Sequence, residues 1–474
     1  MSDRSRLNMQ FKIAVSDTNL TQFSLKKEDS DFSNNQLILN ALIGTLVKFG
    51  LSGRLEPYLA ESWFVSENKK RWIFQIRQGL YCEDGAAINA ELIKINLIQN
   101  LKEYSHRGSV IMFDHLVGWQ DFVKKDETFL TGLSVIDDNK LEFTFDENPG
   151  DLLELLRMPY FGLWRENLDG KIISSGAYKI KNFEKNNVTL ELRPEWFTAD
   201  TKSFTEVHIS FSNFNAANEI NDHPVIVKMP FFAKEESRDN GYWILSPPTR
   251  FEGFVLSPYK NSFFKNIENR KIFLNRVRNL YPTMVKSNYF YPSAKTTVSE
   301  NTIGKYKTAP GQNNLTFALE RATYTPQEID TFKEIITIAL DGSGISFELL
   351  SRTQNDKEWF KKTDSNTFFD ARVSSVDIGA YPDYMALKMM FCSKLGVNFP
   401  DLDDEICRMV ADGIKTGSSM GASTIEKFNQ LLFDQAIVIP ILHHSEKWFV
   451  SSTFDPKSLP STTLYPQFEL IRTQ

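Results

Sequence analysis

Cysteine and histidine are scarce in this chain, with three and six residues in 474. Cys82, Cys392 and Cys407 are too few, and odd in number, for a disulfide framework, and none has the CxxC spacing of a zinc site. The histidines include no HxxH-type pair. His443 and His444 are neighbours in an extended run, so their side chains face opposite ways and cannot close on one ion. Asp401-Leu402-Asp403-Asp404-Glu405 is acidic, but the glycine that a calcium loop needs at its sixth position is replaced by Ile406. No metal ligand is therefore expected. No GxSxG elbow is present, and Gly342-Ser343-Gly344 is too short for a dinucleotide fingerprint and reads as a helix C-cap. Catalytic residues and cofactors are accordingly expected to be none, and the chain is read as no enzyme.

Charge of one sign is also missing. The net charge of −6 and the lack of any Lys/Arg run argue against a nucleic-acid partner. No apolar run is long enough to span a bilayer. Met1-Ser2-Asp3-Arg4-Ser5-Arg6 is charged, and no apolar h-region of a secretory leader follows it.

What the chain does hold is length and apolar content. Its 474 residues leave room for two or three domains, and it is 41% hydrophobic with 38 phenylalanines. Most of these rings belong in a core, and a share could line a ligand cleft.

Residues 55–97 are the most informative stretch. A strand opens at Leu59-Ala60-Glu61-Ser62-Trp63, and Ser66-Glu67-Asn68-Lys69-Lys70 is a polar turn. Trp72, Phe74 and Ile76 alternate with Arg71, Gln75 and Arg77, the period of a half-buried strand. Glu83-Asp84-Gly85 is a tight turn. Asn89 stands as the N-cap of a helix carrying Leu92, Ile95 and Leu97.

This stretch resembles the signature of the family 5 extracellular solute-binding proteins, the peptide- and nickel-binding components of bacterial ABC importers. The resemblance rests on Pro57, Leu59, Ala60, Trp63, Trp72, Phe74, Arg77, Gly79, Asp84, Gly85 and Ala90, with Tyr81-Cys82-Glu83 departing from the family's usual pair. A second match lies at Ser174-Ser175-Gly176-Ala177-Tyr178-Lys179-Ile180, followed by Leu190, Leu192, Arg193, Trp196 and Phe197. A serine beside glycine could be a nucleophile, but turn geometry is the better reading. Between 205 and 310 the match thins. The family's Gly-Glu-x-Asp is absent where Ala216 to Pro224 stands.

Other elements follow from pattern and, for the strand at 251–257 and the helix at 270–277, from what the resemblance implies. Strands are expected at 11–15, 140–145, 225–227, 251–257, 313–319 and 437–442. Helices are expected at 37–47, where Gly44 reads as a close-packing point, and at 151–157, 270–277, 326–340 and 425–436. The run from Asn313 through Leu349 reads as strand, helix, glycine turn, strand, a βαβ-like unit.

The resemblance implies an α/β, periplasmic-binding-protein-like fold. Two lobes are joined by a hinge of two crossings, near Phe251 and near Ile439. The first lobe would hold residues 1–250 and 440–474, with an appended subdomain over about 50–170, and the second lobe residues 251–439. The implied function is capture of a peptide-like or other small ligand between the lobes for an ABC permease, by a monomer in the periplasm or cell envelope whose signal or lipoprotein leader is not in this chain. The alternative is a sensor or scaffold that keeps the fold with an altered or lost peptide site. In peptide binders of the family, a Trp-x-x-Asp-Tyr motif anchors the ligand's ammonium through its Asp. Aligned on Tyr381, that Asp becomes Ala380 and the Trp becomes Asp377. The expected ligand-binding set is Asp377, Ile378, Gly379, Ala380, Tyr381 and Asp383. Two outcomes stay open: Asp377 or Asp383 supplies the charge from a shifted register, which Gly379 would permit through a bulge, or the ligand carries no free ammonium there, the reading preferred here.

Overall fold

Why the apolar alternation in this chain makes sheets is clearest at residues 60–144. In the computed structural model, β4 (Ala60–Val65), β5 (Arg71–Ile76), β7 (Lys140–Thr144) and β6 (Leu133–Asp137) pair antiparallel in that order. Trp72, Phe74 and Ile76 are buried, and Phe143 and Leu141 stand opposite Trp72 and Phe74 in register. The helix α2 (Ala90–Glu103) starts where Asn89 caps it, its Oδ1 accepting the Leu92 N–H at 2.8 Å. The polar turn has Lys69 at φ 56° and closes through the Lys69 N–H to Ser66 C=O bond. The structure describes residues 9–16, 33–103, 113–125, 129–150, 152–184, 186–212, 224–229, 240–246, 250–257, 262–280, 305–307, 314–319, 324, 326–351, 369–377, 405, 407–409, 422–459 and 466–474.

The chain divides into two compact units, Met1–Ser246 with Glu446–Gln474, and Pro247–Ser445. The first is built on a seven-stranded sheet in the order β10 (Tyr178–Glu184), β11 (Asn187–Leu192), β12 (Glu206–Ser212), β1 (Gln10–Ser16), β13 (Val225–Met229), β20 (Lys447–Ser451) and β14 (Gly241–Leu245). β12, β1 and β13 run parallel, while β20 runs against both β13 and β14. A strand from the end of the chain thus sits between two from its middle. Phe11 on β1 packs edge-on against Phe204, Phe454 and Phe468.

The helix α1 (Ser33–Leu42) is shorter than its apolar run, because the chain turns at Gly44 into β2 (Val47–Phe49), which pairs with β3 (Leu55–Pro57). A Cβ at Gly44 would sit 2.5 Å from the Ser175 carbonyl oxygen, so this position is the packing point its sequence suggested. Among the described residues this unit also has α3 (Trp119–Lys125), α4 (Leu152–Leu156) and the hairpin of β8 (Arg165–Glu166) with β9 (Ile172–Ile173).

The second unit has a five-stranded sheet in the order β17 (Ser346–Ser351), β16 (Asn314–Leu319), β18 (Ala371–Asp377), β15 (Arg250–Leu256) and β19 (Val438–His444). β16, α7 (Pro326–Ala339) and β17 form the expected βαβ unit, with β16 and β17 parallel and Gly342 and Gly344 in the left-handed region between helix and strand. Phe254, Phe264, Phe273, Phe317 and Phe332 make its core, with α5 (Ser262–Lys265) and α6 (Ile267–Leu280) supplying Phe264 and Phe273. The buried Arg270 donates to the carbonyls of Gln435, at the end of α8 (Ala422–Gln435), and of Phe264. The strand read as the return crossing, β19, lies at the edge of this sheet, paired with β15.

Candidate functional site

The most specific motif in the sequence turns out to be a joint. Arg193, 3% exposed, donates through its guanidinium to the carbonyls of Gly176 (3.1 Å) and Tyr81 (2.5 Å). The Glu83 N–H donates to Ser174 C=O at 2.8 Å, and the Ser174 N–H returns to Glu83 Oε2 at 3.0 Å. Arg77 donates to Tyr58 C=O at 3.0 Å and stacks 4.4 Å from the Phe197 ring. Arg165 meets Asp84 at 2.7 Å. The two resembling stretches are therefore stitched to each other, and the side chains that carry the resemblance fasten backbone within the first unit.

The serines beside Gly176 belong to the same joint. The Ser175 hydroxyl accepts the Gly44 N–H (2.9 Å) and donates to Leu163 C=O (2.5 Å), and the Ser174 hydroxyl donates to Leu42 C=O (3.0 Å). Both are buried and held by backbone, which is the turn role and not that of a nucleophile.

Binding chemistry in open α/β sheets gathers at the carboxyl ends of the parallel strands. In the second unit that edge is formed by Leu319, Ser351 and Asp377, where β16, β17 and β18 end. The antiparallel register adds Arg250, level with Asp377 on one side and with His444 on the other. Two residues further in, Glu252 is 1% exposed at a register shift in β15, and the Tyr324 hydroxyl donates to its Oε2 at 2.8 Å. Sequence reasoning passed over Glu252 and Tyr324. A lone glutamate in an apolar strand, followed by glycine where the register slips, was the available signal.

The corresponding edge of the first unit runs through Ser212, Ser16, Met229, Lys447 and Leu245. Beside it, Lys228 pairs with Glu446 at 3.2 Å, both largely buried, and lies 5.7 Å from the Trp448 ring centroid.

Of the ligand-binding set expected from sequence, Asp377 falls at the end of β18 in the carboxyl edge of the second unit. Ile378, Gly379, Ala380, Tyr381 and Asp383 lie outside the described residues, as does the segment 17–22 expected to reach the ligand. No cluster of three or more His, Cys, Asp or Glu able to hold a metal ion occurs among the described residues. The reading of the cysteines needs one amendment: Cys407 is disulfide-bonded, whereas Cys82 is a free, buried thiol whose ionisation burial pushes up. Among the described residues no helix is long and apolar enough to cross a membrane.

Residues 54–271 match the family described as bacterial extracellular solute-binding proteins, family 5 middle. A search of curated proteins by sequence gives no match. Among solved structures, the chain is similar to the Escherichia coli murein tripeptide binding protein MppA, with a TM-score of 0.78 at 14% identity over 98% of both chains. It is similar also to Haemophilus influenzae OppA in complex with RPPGFSPFR, with a TM-score of 0.75 at 13% identity over 98% of both chains. The third is NikA from Brucella suis in complex with Fe(III)-EDTA, with a TM-score of 0.70 at 15% identity over 98% of this chain and 100% of that one. At such identities the structural likeness establishes the fold, that of the periplasmic binding proteins.

Proposed function

We propose, from the match of residues 54–271 to the bacterial extracellular solute-binding proteins of family 5, that this protein captures a peptide-like ligand outside the cytoplasm and delivers it to an ABC importer. The family match is the observation that carries the reading, and it spans the signature stretch and the turn at Gly176 that are stitched together in the first unit. The two units serve as the two lobes, and closure of one on the other buries the ligand. The role is binding, with no chemistry on the ligand. The disulfide at Cys407 fits an oxidising compartment such as the cell envelope.

Within this reading Asp377, at the carboxyl end of β18, is one candidate for a carboxylate offered to the ligand. Asp383 is its rival, and a ligand without a free ammonium is the preferred case, since Ala380 stands where the family has its anchor. The same substitution supports the second reading, a sensor that keeps the fold with an altered peptide site.

Mass spectrometry of the small molecules that co-purify, followed by calorimetry with a library of short peptides, free and N-acetylated, tests the proposal. Binding of acetylated peptides at least as tight as that of free ones is expected. Tight binding of free peptides that both acetylation and Asp377→Ala abolish would show that the anchor moved to Asp377. No binding from either library, and no co-purifying ligand, would remove peptide capture and leave the sensor.

A further inference from the structure

Three buried polar atoms in one corner of the first unit have no hydrogen-bond partner among the described residues: Trp196 Nε1, Thr198 Oγ1 and Glu469 Oε2. Trp196 is 3% exposed and Glu469 1%. The turn that carries Trp196 closes through the Ala199 N–H to Trp196 C=O bond at 2.9 Å. Arg472 ties this turn to the 3-10 turn Phe468–Leu470, donating to Asp200 Oδ2 at 3.1 Å and to Glu469 C=O at 2.7 Å.

Tyr58 connects the two sides. Its hydroxyl donates to Glu469 Oε1 at 3.1 Å, and its ring centroid lies 5.8 Å from that of Trp196. Burial and then the Glu469 charge push the Tyr58 ionisation up, and the Trp196 indole N–H beside the hydroxyl opposes them. The indole N–H and the carboxylate thus flank one hydroxyl, while Nε1 and Oε2 are each left unbonded.

The chemistry of these atoms is complementary. An indole N–H only donates, a carboxylate oxygen only accepts, and a hydroxyl does both. Buried groups of this kind are nearly always met, and an enclosed water can meet two or three at once. Charge selects the same class of ligand. Glu469 Oε1 already holds Lys48 Nζ at 2.8 Å, so the ammonium balances the carboxylate. An added cation would face Lys48 and an added anion would face Glu469, each buried, whereas a neutral molecule that both donates and accepts avoids both costs.

We propose that the first unit encloses a long-lived water that accepts from Trp196 Nε1 and donates to Glu469 Oε2, joining the turn at 196–200 to the C-terminal segment. Lys48 and Tyr58 are positioning residues: both bind Oε1 and leave Oε2 to the water. The site draws on three stretches far apart in sequence, so it forms only once the C-terminal segment is in place.

Water-selective NOE spectra of the full chain, isotope-labelled at tryptophan, read the site directly. Trp196→Phe assigns the indole resonance. A water cross-peak on that resonance is expected, with opposite signs in the laboratory and rotating frames, the mark of a water held longer than the fast motions of bulk solvent. It should survive Tyr58→Phe, which removes the hydroxyl proton that would otherwise relay it. It should vanish in the double variant Lys48→Met with Glu469→Leu, which removes the acceptor and keeps the charge balanced. A folded wild-type chain without the cross-peak overturns the proposal. So does a cross-peak that disappears with Tyr58→Phe, or one that persists in the double variant. Should either variant fail to fold, relaxation dispersion of the water oxygen, compared between wild type and Trp196→Phe, decides: loss of a long-lived water in the variant supports the site, and an equal count overturns it.

Discussion

Glu469 is 1% exposed and close to the end of the chain, yet it holds one of the few buried charges of the first unit. Its Oε1 accepts from Lys48 Nζ at 2.8 Å and from the Tyr58 hydroxyl at 3.1 Å, and Lys48 lies 4.0 Å from the Tyr58 ring centroid. Its other oxygen has no partner among the described residues. Removing one member of such a pair strands a charge, so Lys48→Met should destabilise the protein by about 3–5 kcal/mol, and the double variant Lys48→Met with Glu469→Leu should recover most of that. Equal denaturant midpoints for single and double variants would show that the pair is uncoupled. Burial first, and then the Glu469 charge, raise the ionisation of both Tyr58 and Tyr178 above the ordinary tyrosine value. A group raised in the folded state stabilises fully below its unfolded pKa of about 10 and loses that contribution as pH rises beyond it. Tyrosinate absorbance from these two rings should therefore appear only with alkaline unfolding, and an earlier rise of their signal, isolated by Tyr→Phe variants, would count against this. At this scale the sequence misleads on α2. Ile95, taken as part of its apolar face, is 47% exposed, while the polar Asn96 and Asn100 are buried. Their amides serve the backbone at Trp164 and Gly162, and Asn96 Oδ1 accepts the Trp164 N–H at 2.7 Å. Hydropathy has no term for an asparagine buried because its amide N–H groups bond to backbone.

Among the elements, the strands at 72–76, 140–144 and 314–319 and the helix at 326–339 were legible because each has a clean period and a turn residue at its end. The apolar run at 37–47 was not, since a helix and the strand after it share it, and the break between them is set by the tertiary contact at Gly44. Nor does any local pattern tell that β20 enters the first sheet between β13 and β14, for the pairing spans more than two hundred residues. The position has an energetic consequence. β20 supplies the buried Trp448, Phe449 and Val450, and the segment after it supplies Phe454, Phe468 and Ile471. A chain cut after Ser445 would leave β14 without its neighbour and expose Phe11 on its Phe454 and Phe468 sides. Such a truncated chain should lose the cooperative unfolding of the first unit, while a synthetic peptide of residues 446–474 added in excess should restore protease resistance. An undiminished melting transition in the truncated chain would show the strand to be dispensable.

For the whole molecule, the fold could be read from two short stretches, and these form one hydrogen-bonded joint within the first unit. The ligand set could not be read in the same way. Asp377 marks an edge, and its companions from sequence lie outside the described residues. If closure on a ligand is the working motion, small-angle scattering should show the radius of gyration fall when a bound library peptide saturates the protein, and an unchanged profile would count against it. Elemental analysis of the purified protein should find no stoichiometric nickel or zinc. The place of β20 also bears on biosynthesis. A chain that emerges amino end first can assemble the sheet of the second unit, from β15 to β19, before residues 447–451 arrive, but its first sheet stays split until then. The earliest-made lobe is thus the last to be finished.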